Sequence, residues 1–163
     1  MLPALEAHLG SRQVGRVIYG SIIGLALVIG LEAHPPPTAA VITSLLATAV
    51  AVGLAELYSE IVGTETRTRH RIPREQVGHI IDDVLAVAFG IAFPSVFFVL
   101  VALGALELET AFSLAKWSGV GLIGAYGFCA ARFAGAGMWP ALLQALAVAA
   151  VGALLIAVKA LVH

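Results

Sequence analysis

Residues 39–60, AAVITSLLATAVAVGLAELYSE, decide the fold class of this chain. Residues 39–55 carry no charge, and Glu56 and Glu60 follow directly. A helix crosses the hydrocarbon core of a bilayer with about 20 apolar residues, and side chains four residues apart lie on one helical face. The stretch therefore predicts a membrane-spanning helix with two carboxylates on one face near its end.

The composition of the whole chain extends this interpretation. Of 163 residues, 60% are hydrophobic and only 12% are charged, whereas about 25% charged residues is typical of soluble domains. We therefore predict an all-α, polytopic helical membrane protein that forms a single transmembrane domain over residues 1–163 and is multi-pass in a bacterial inner membrane. The net charge of −1 argues against a nucleic-acid partner and leaves the lipid bilayer as the expected one.

Prolines and charges divide the apolar sequence into five predicted spans. Pro35, Pro36 and Pro37 force a turn after the first span, Gly63 is the predicted stop of the second, and Pro94 predicts a kink in the third. The first run is interpreted as a retained span because no clean cleavage site follows it. The predicted spans are 14–31, 38–62, 80–106, 112–131 and 140–161, and a charged connection occupies 63–75.

The basic residues predict the orientation of these spans. With five spans, one side of the membrane holds seven of the nine basic residues, and the other side holds Lys116 and Lys159. The seven are Arg12, Arg16, Arg67, Arg69, Arg71, Arg74 and Arg132. The positive-inside rule places that side, with the N-terminus and connection 63–75, in the cytoplasm.

Acidic residues and one histidine form the main candidate site. Glu56 and Glu60 share a face of the second predicted helix, and Glu75, His79 and Asp82 or Asp83 share a face of the third. Carboxylates with an imidazole suit hard or borderline divalent ions, and the same groups can relay protons. The predicted metal site is Glu56, Glu60, His79, Asp82 and Asp83. Glu56 is the most informative of these, since it lies deeper in its span than an interface requires.

A structural interpretation of the same charges stays open. Ion pairs such as Glu60 with Arg67, or Asp83 with Arg74, would explain much of the pattern at a membrane interface. The basic sequence RTRHRIPR, residues 67–74, would then serve as a topological anchor or bind a partner or anionic lipid. Its contact residues would be Arg67, Arg69, Arg71 and Arg74.

Four smaller features of the sequence bear on packing and function. GSIIG, residues 20–24, is a G-x-x-x-G motif that predicts a close helix contact, either within the chain or at a homodimer interface. GVGLIG, residues 119–124, lies inside an apolar span without a preceding strand, so dinucleotide binding is not predicted. Cys129 is the single cysteine and cannot form an intrachain disulfide. No membrane span places a serine, a histidine and an acid together, so an intramembrane hydrolase is not predicted. We predict neither an enzyme nor a permanently bound cofactor.

The order of these features resembles the vacuolar iron transporter family. Residues 53–67, GLAELYSEIVGTETR, resemble the family's G-E-Y-V-S-V-x-x-Q-R ending of the second span, with Glu56 on its glutamate. YGSIIGLALV, residues 19–28, resembles the start of the family's first span, although Tyr19 stands where the family carries an acid. Residues 121–155 are similar to the last two spans in the placement of glycine and arginine. The charged insertion between the second and third spans is shorter here than in many members.

The resemblance implies a dimeric transporter that exports Fe²⁺ or Mn²⁺ by coupling to protons, so that a divalent metal would be cargo. The alternative function is a non-transporting membrane protein that binds a partner or anionic lipid through its Arg-rich connection.

Overall fold

A computed structural model describes residues 13–71 and 73–162, without the side chains of 74–76, 159, 160 and 162. The predicted all-α class is confirmed, with six helices over the described residues. They are α1 (Gln13–Ala33), α2 (Thr38–Thr68), α3 (Arg74–Ala92), α4 (Ser95–Ala102), α5 (Leu108–Phe133) and α6 (Met138–Val162).

Three of these helices, α1, α2 and α6, are long and apolar enough to cross a membrane. The bent pair α3 and α4 makes a fourth candidate if it counts as one span. The helix α5 is 26 residues long but is not among the candidates, since Lys116 and several glycines dilute its apolar sequence. The described residues thus provide three to four candidate spans where five were predicted.

The third predicted span, 80–106, is broken rather than continuous. Its two parts, Val77–Ala92 and Ser95–Ala102, are bent by 49°. The break lies at Phe93 and Pro94, because proline lacks the N–H that would continue the helical hydrogen bonds. The kink predicted at Pro94 is therefore confirmed, but the helix ends at Ala102, four residues earlier than predicted.

The end of α2 corrects the prediction at Gly63. The helix passes through Gly63 and continues to Thr68, so the stop predicted at Gly63 is wrong and the connection shrinks to residues 69–73. Glycine costs a helix only about 1 kcal/mol. The carbonyl oxygens near the end accept side-chain hydrogen bonds, from Thr68 Oγ1 to Thr64 O at 2.9 Å and from Arg67 Nε to Gly63 O at 3.2 Å. Arg69 then leaves the helix in the left-handed conformation, with φ 54°.

The helix α1 lies at the centre of the bundle. It packs most extensively against α3 and α5, whereas its contact with the sequential neighbour α2 is slight. The helix buries one broad face, on which Val17 and Val28 are fully or almost fully inside. A helix so placed can connect groups on all of its neighbours.

The G-x-x-x-G motif forms the contact between α1 and α3. A Cβ at Gly20 would collide with the carbonyl oxygen of Val87, and one at Gly24 would lie 3.0 Å from the carbonyl oxygen of Gly90. Conversely, a Cβ at Gly90 would lie 2.6 Å from the backbone of α1. The predicted close helix contact is confirmed, and it lies within the chain.

Candidate functional site

Arg16, in the first described turn of α1, is the centre of an ion-pair cluster. Its Nη1 lies 2.9 Å from Glu56 Oε2, and its Nη2 lies 3.4 Å from Glu60 Oε2. Its Nε lies 3.9 Å from Asp83 Oδ2. One guanidinium thus connects α1 to two acids of α2 and to one acid of α3. We call Arg16, Glu56, Glu60 and Asp83 the Arg16 cluster.

Local helical geometry explains why these acids meet. Glu56 and Glu60 are one turn apart on α2, and α3 follows α2 after a short connection and packs beside it. Arginine suits this position because its planar guanidinium carries five N–H donors in fixed directions. The guanidinium can therefore face several carboxylates at once.

The cluster is partly buried and carries excess negative charge. The four side chains are between 16% and 29% exposed. Three carboxylates and one guanidinium give a formal charge of −2 when all are ionised. A surplus of this size in a partly desolvated place is costly unless protons or cations compensate it.

A small cavity lies next to the cluster. It has a volume of about 320 Å³ and is lined by Gly15, Arg16, Glu60 and Arg67. Arg67 adds a positive charge on this side, although its Nε donates to Gly63 O. The cavity provides space beside Glu60 for an ion and its water.

The structure brings together three of the five predicted metal ligands. Glu56, Glu60 and Asp83 meet at Arg16, whereas His79 is exposed and has no described hydrogen bond or ion pair. Asp82 lines a different cavity. No group of three or more His, Cys, Asp or Glu among the described residues is arranged to hold a metal ion.

The arginine partners differ from those considered from sequence. Glu60 pairs with Arg16 and not with Arg67, and the described partner of Asp83 is also Arg16. The side chains of Arg74 and Glu75 lie outside the described residues. Sequence reasoning missed Arg16 as a site residue, although a cation within an apolar helix calls for a partner.

The observed length of α2 changes the interpretation of how deeply Glu56 lies in its span. Because α2 ends at Thr68, Glu56 lies about 18 Å from that end at 1.5 Å per residue. Arg16, its partner, is only one turn inside the described start of α1. The carboxylate is therefore level with the first turn of α1, and the last three turns of α2 extend beyond it.

A second cavity lies apart from the Arg16 cluster. Its volume is about 520 Å³, and its described lining comes from α1, α3 and α5. The lining residues are Gln13, Val17, Asp82, Leu85, Ala86, Phe89 and Tyr126. We call it the Asp82 cavity.

A second ion pair lies at the other end of α1. Lys116 Nζ of α5 donates to Glu32 Oε1 at 2.6 Å and to Oε2 at 2.9 Å. Both side chains are mostly buried, at 18% and 26% exposure. The helix α1 is thus tied to α2 and α3 near its start and to α5 near its end.

Three arginines of the Arg-rich segment are exposed, as residues that bind a lipid or a partner must be. Arg67, Arg69 and Arg71 are all exposed, and none of them forms an ion pair within the described part of the chain. Arg67 lies in the last turn of α2, beyond the Arg16 cluster along that helix.

Fold and site together define an all-α bundle with three to four apolar, membrane-length helices and a carboxylate-rich ion-pair cluster near one end. No protein-family model, curated protein or solved structure matches the chain.

Proposed function

We propose that this protein is an integral membrane protein that transports a divalent cation, with Glu56, Glu60 and Asp83 as its cytoplasmic cation site. The convergence of these three carboxylates on one guanidinium supports this function. In this arrangement they face Arg16 and do not form a metal site, so cation binding requires them to turn away from the guanidinium. Carboxylate oxygens are suitable ligands for Mn²⁺ and related ions. The cargo that the resemblance implies, Fe²⁺ or Mn²⁺, belongs to this class.

The charge of the Arg16 cluster favours a divalent cargo exchanged for protons. Its formal charge of −2 equals the charge that one divalent cation, or two protons, would neutralise. Arg16 holds the carboxylates together when no cation is present, and the incoming ion displaces the guanidinium from some of them. Glu60 is the first ligand on this route, since it lines the adjacent cavity of about 320 Å³.

The test is Mn²⁺ uptake into proteoliposomes that contain the full chain. We expect saturable uptake by the wild type and a loss of about tenfold or more in Glu56→Gln, because the amide removes the charge that binds the ion. Glu65→Gln is the matched control, since Glu65 is an exposed acid on the same helix without a described ion pair. Its uptake rate should stay within about twofold of the wild type.

Two outcomes contradict the proposal. One is the absence of protein-dependent Mn²⁺ and Fe²⁺ flux in the wild type. The other is equal loss of flux in Glu56→Gln and Glu65→Gln, which would indicate a general effect of charge on the liposomes.

The second candidate function is binding of anionic lipid by the Arg-rich segment. The exposure of Arg67, Arg69 and Arg71 favours it, since each basic residue near an anionic surface contributes about 1 kcal/mol. Replacing all three by glutamine should lower the amount of phosphatidylglycerol that co-purifies with the protein. An unchanged amount would reject this function.

A further inference from the structure

The Asp82 cavity is separate from the Arg16 cluster although the two share α3. Asp82 and Asp83 are adjacent in sequence, so their side chains point about 100° apart around the helix. Asp83 faces Arg16, whereas Asp82 lines the cavity with Tyr126 of α5 and Val17 of α1. Neither cavity shares a described lining residue with the other. A ligand in the Asp82 cavity would therefore leave the ion pairs of Arg16 in place.

The size and lining of this cavity fit a small organic molecule. Its volume of about 520 Å³ lies within the range of about 300–1,000 Å³ that is common for ligand sites. Apolar side chains form most of the described wall, among them Leu85 and Phe89, which are 60% and 48% exposed. A molecule in the cavity would cover these two side chains.

The charged and aromatic groups of the wall indicate the sign of the ligand. Asp82 is the charged residue of the described lining and has no described ion pair. Phe89 and Tyr126 add aromatic rings, whose faces attract cations. The rings continue along the bent helix pair, since Phe89, Phe93 and Phe97 follow one another with centroids 6.0 Å apart. An anion would be repelled by the negative charge of Asp82, which is exposed at this site.

From these features we propose that the Asp82 cavity binds a lipophilic organic cation, with its positive charge beside Asp82 and its apolar groups on Leu85 and Phe89. Tyr126 offers its ring to the positive charge from the opposite helix. This site is distinct from the proposed cation route through Glu56, so either can fail without the other.

Titration calorimetry of the purified full-length protein with tetraphenylphosphonium tests the proposal. We expect saturable binding that weakens about tenfold or more in Asp82→Asn. Asp82→Glu keeps the charge and should retain most of the affinity. Glu65→Gln, which removes an exposed acid outside the cavity, should leave the affinity within about twofold.

Tetraphenylborate distinguishes a charge-selective site from a merely apolar groove, because it has a similar shape and the opposite charge. It should bind more weakly than tetraphenylphosphonium, and Asp82→Asn should not weaken it further. Equal binding of the two ions by the wild type overturns the proposal, as does an affinity for tetraphenylphosphonium that is unchanged in Asp82→Asn. Tyr126→Leu keeps an apolar wall, and in this variant the affinity for the cation should fall while that for the anion should not.

Discussion

The guanidinium of Arg16 faces carboxylates of two other helices, and each of its three nitrogens lies nearest to a different acid. A lysine ammonium at this position would be a single point of charge and could not match that arrangement. The geometry therefore depends on arginine rather than on positive charge alone. Removing Arg16 would leave three carboxylates together in a partly buried place.

We expect Arg16→Gln to lower the free energy of unfolding by about 1–3 kcal/mol, because the carboxylates lose their shared donor and repel one another. Arg16→Lys should be intermediate. Arg71→Gln is the control, since Arg71 is exposed and forms no described ion pair. Thermal unfolding in detergent, followed by circular dichroism, measures the difference. Equal losses for Arg16→Gln and Arg71→Gln would show that the cluster does not stabilise the fold.

At this scale, the sequence was informative about the acids and not about their partner. The four-residue spacing of Glu56 and Glu60 indicated a shared face, since this relation is local to one helix. The pairing with Arg16 spans 40 residues in the chain. It depends on which helices become neighbours, and spacing within a helix does not contain that information.

The backbones of α1 and α3 approach each other closely at Gly20 and Gly24. Backbone atoms of α3 occupy the space where a side chain at Gly20 would be, and backbone cannot move aside as a flexible side chain can. Gly15 and Gly30 lie on the same helix, and no atom of a neighbouring helix lies within 4 Å of the position that a Cβ would take at either residue. One helix thus contains both constrained and unconstrained glycines.

We expect Gly20→Ala to lower the midpoint of thermal unfolding by several degrees or to prevent folding, because the added methyl group separates the two helices. Gly15→Ala and Gly30→Ala should be neutral or slightly stabilising, since alanine is favoured over glycine in a helix by about 1 kcal/mol. Size-exclusion profiles and thermal unfolding of the three variants measure the effect. A Gly20→Ala variant as stable as Gly15→Ala would contradict the close contact.

Some helix ends could be predicted from the sequence, and others could not. The break at Pro94 was predictable, because proline in the interior of a long apolar helix removes a backbone hydrogen bond. The end of α2 could not be predicted from Gly63, because glycine only weakens a helix and does not end it. The helix continues to Thr68, and side chains of Thr68 and Arg67 donate hydrogen bonds to carbonyl oxygens of its last turns.

The number of membrane crossings is a property of the whole molecule. The helix α5 is long enough to cross a membrane, but its sequence is too polar for it to be a candidate span. It nevertheless packs between α1 and α6 in the bundle. Its ion pair between Lys116 and Glu32 neutralises one of its charges. We therefore expect α5 to cross the membrane together with α1.

Single cysteines placed in a Cys129→Ser background test this topology. With α5 crossing, cysteines at Ala105 and Ala136 should be labelled from opposite sides of the membrane, because these residues flank α5. His70→Cys should share the cytoplasmic side with Ala136→Cys, as the distribution of arginines predicts. Labelling of Ala105→Cys and Ala136→Cys from the same side would mean that α5 does not cross.

The sequence by itself determined the helical class, the apolar runs, the break at Pro94 and the close packing at Gly20. These features follow from composition and from relations between residues within a few turns of each other. Tertiary structure decided that α1 is central, that Arg16 holds Glu56, Glu60 and Asp83 together, and that Asp82 faces another cavity. The physical reason is that an ion pair or a cavity wall forms between side chains of different helices, and their meeting depends on how all of the helices pack.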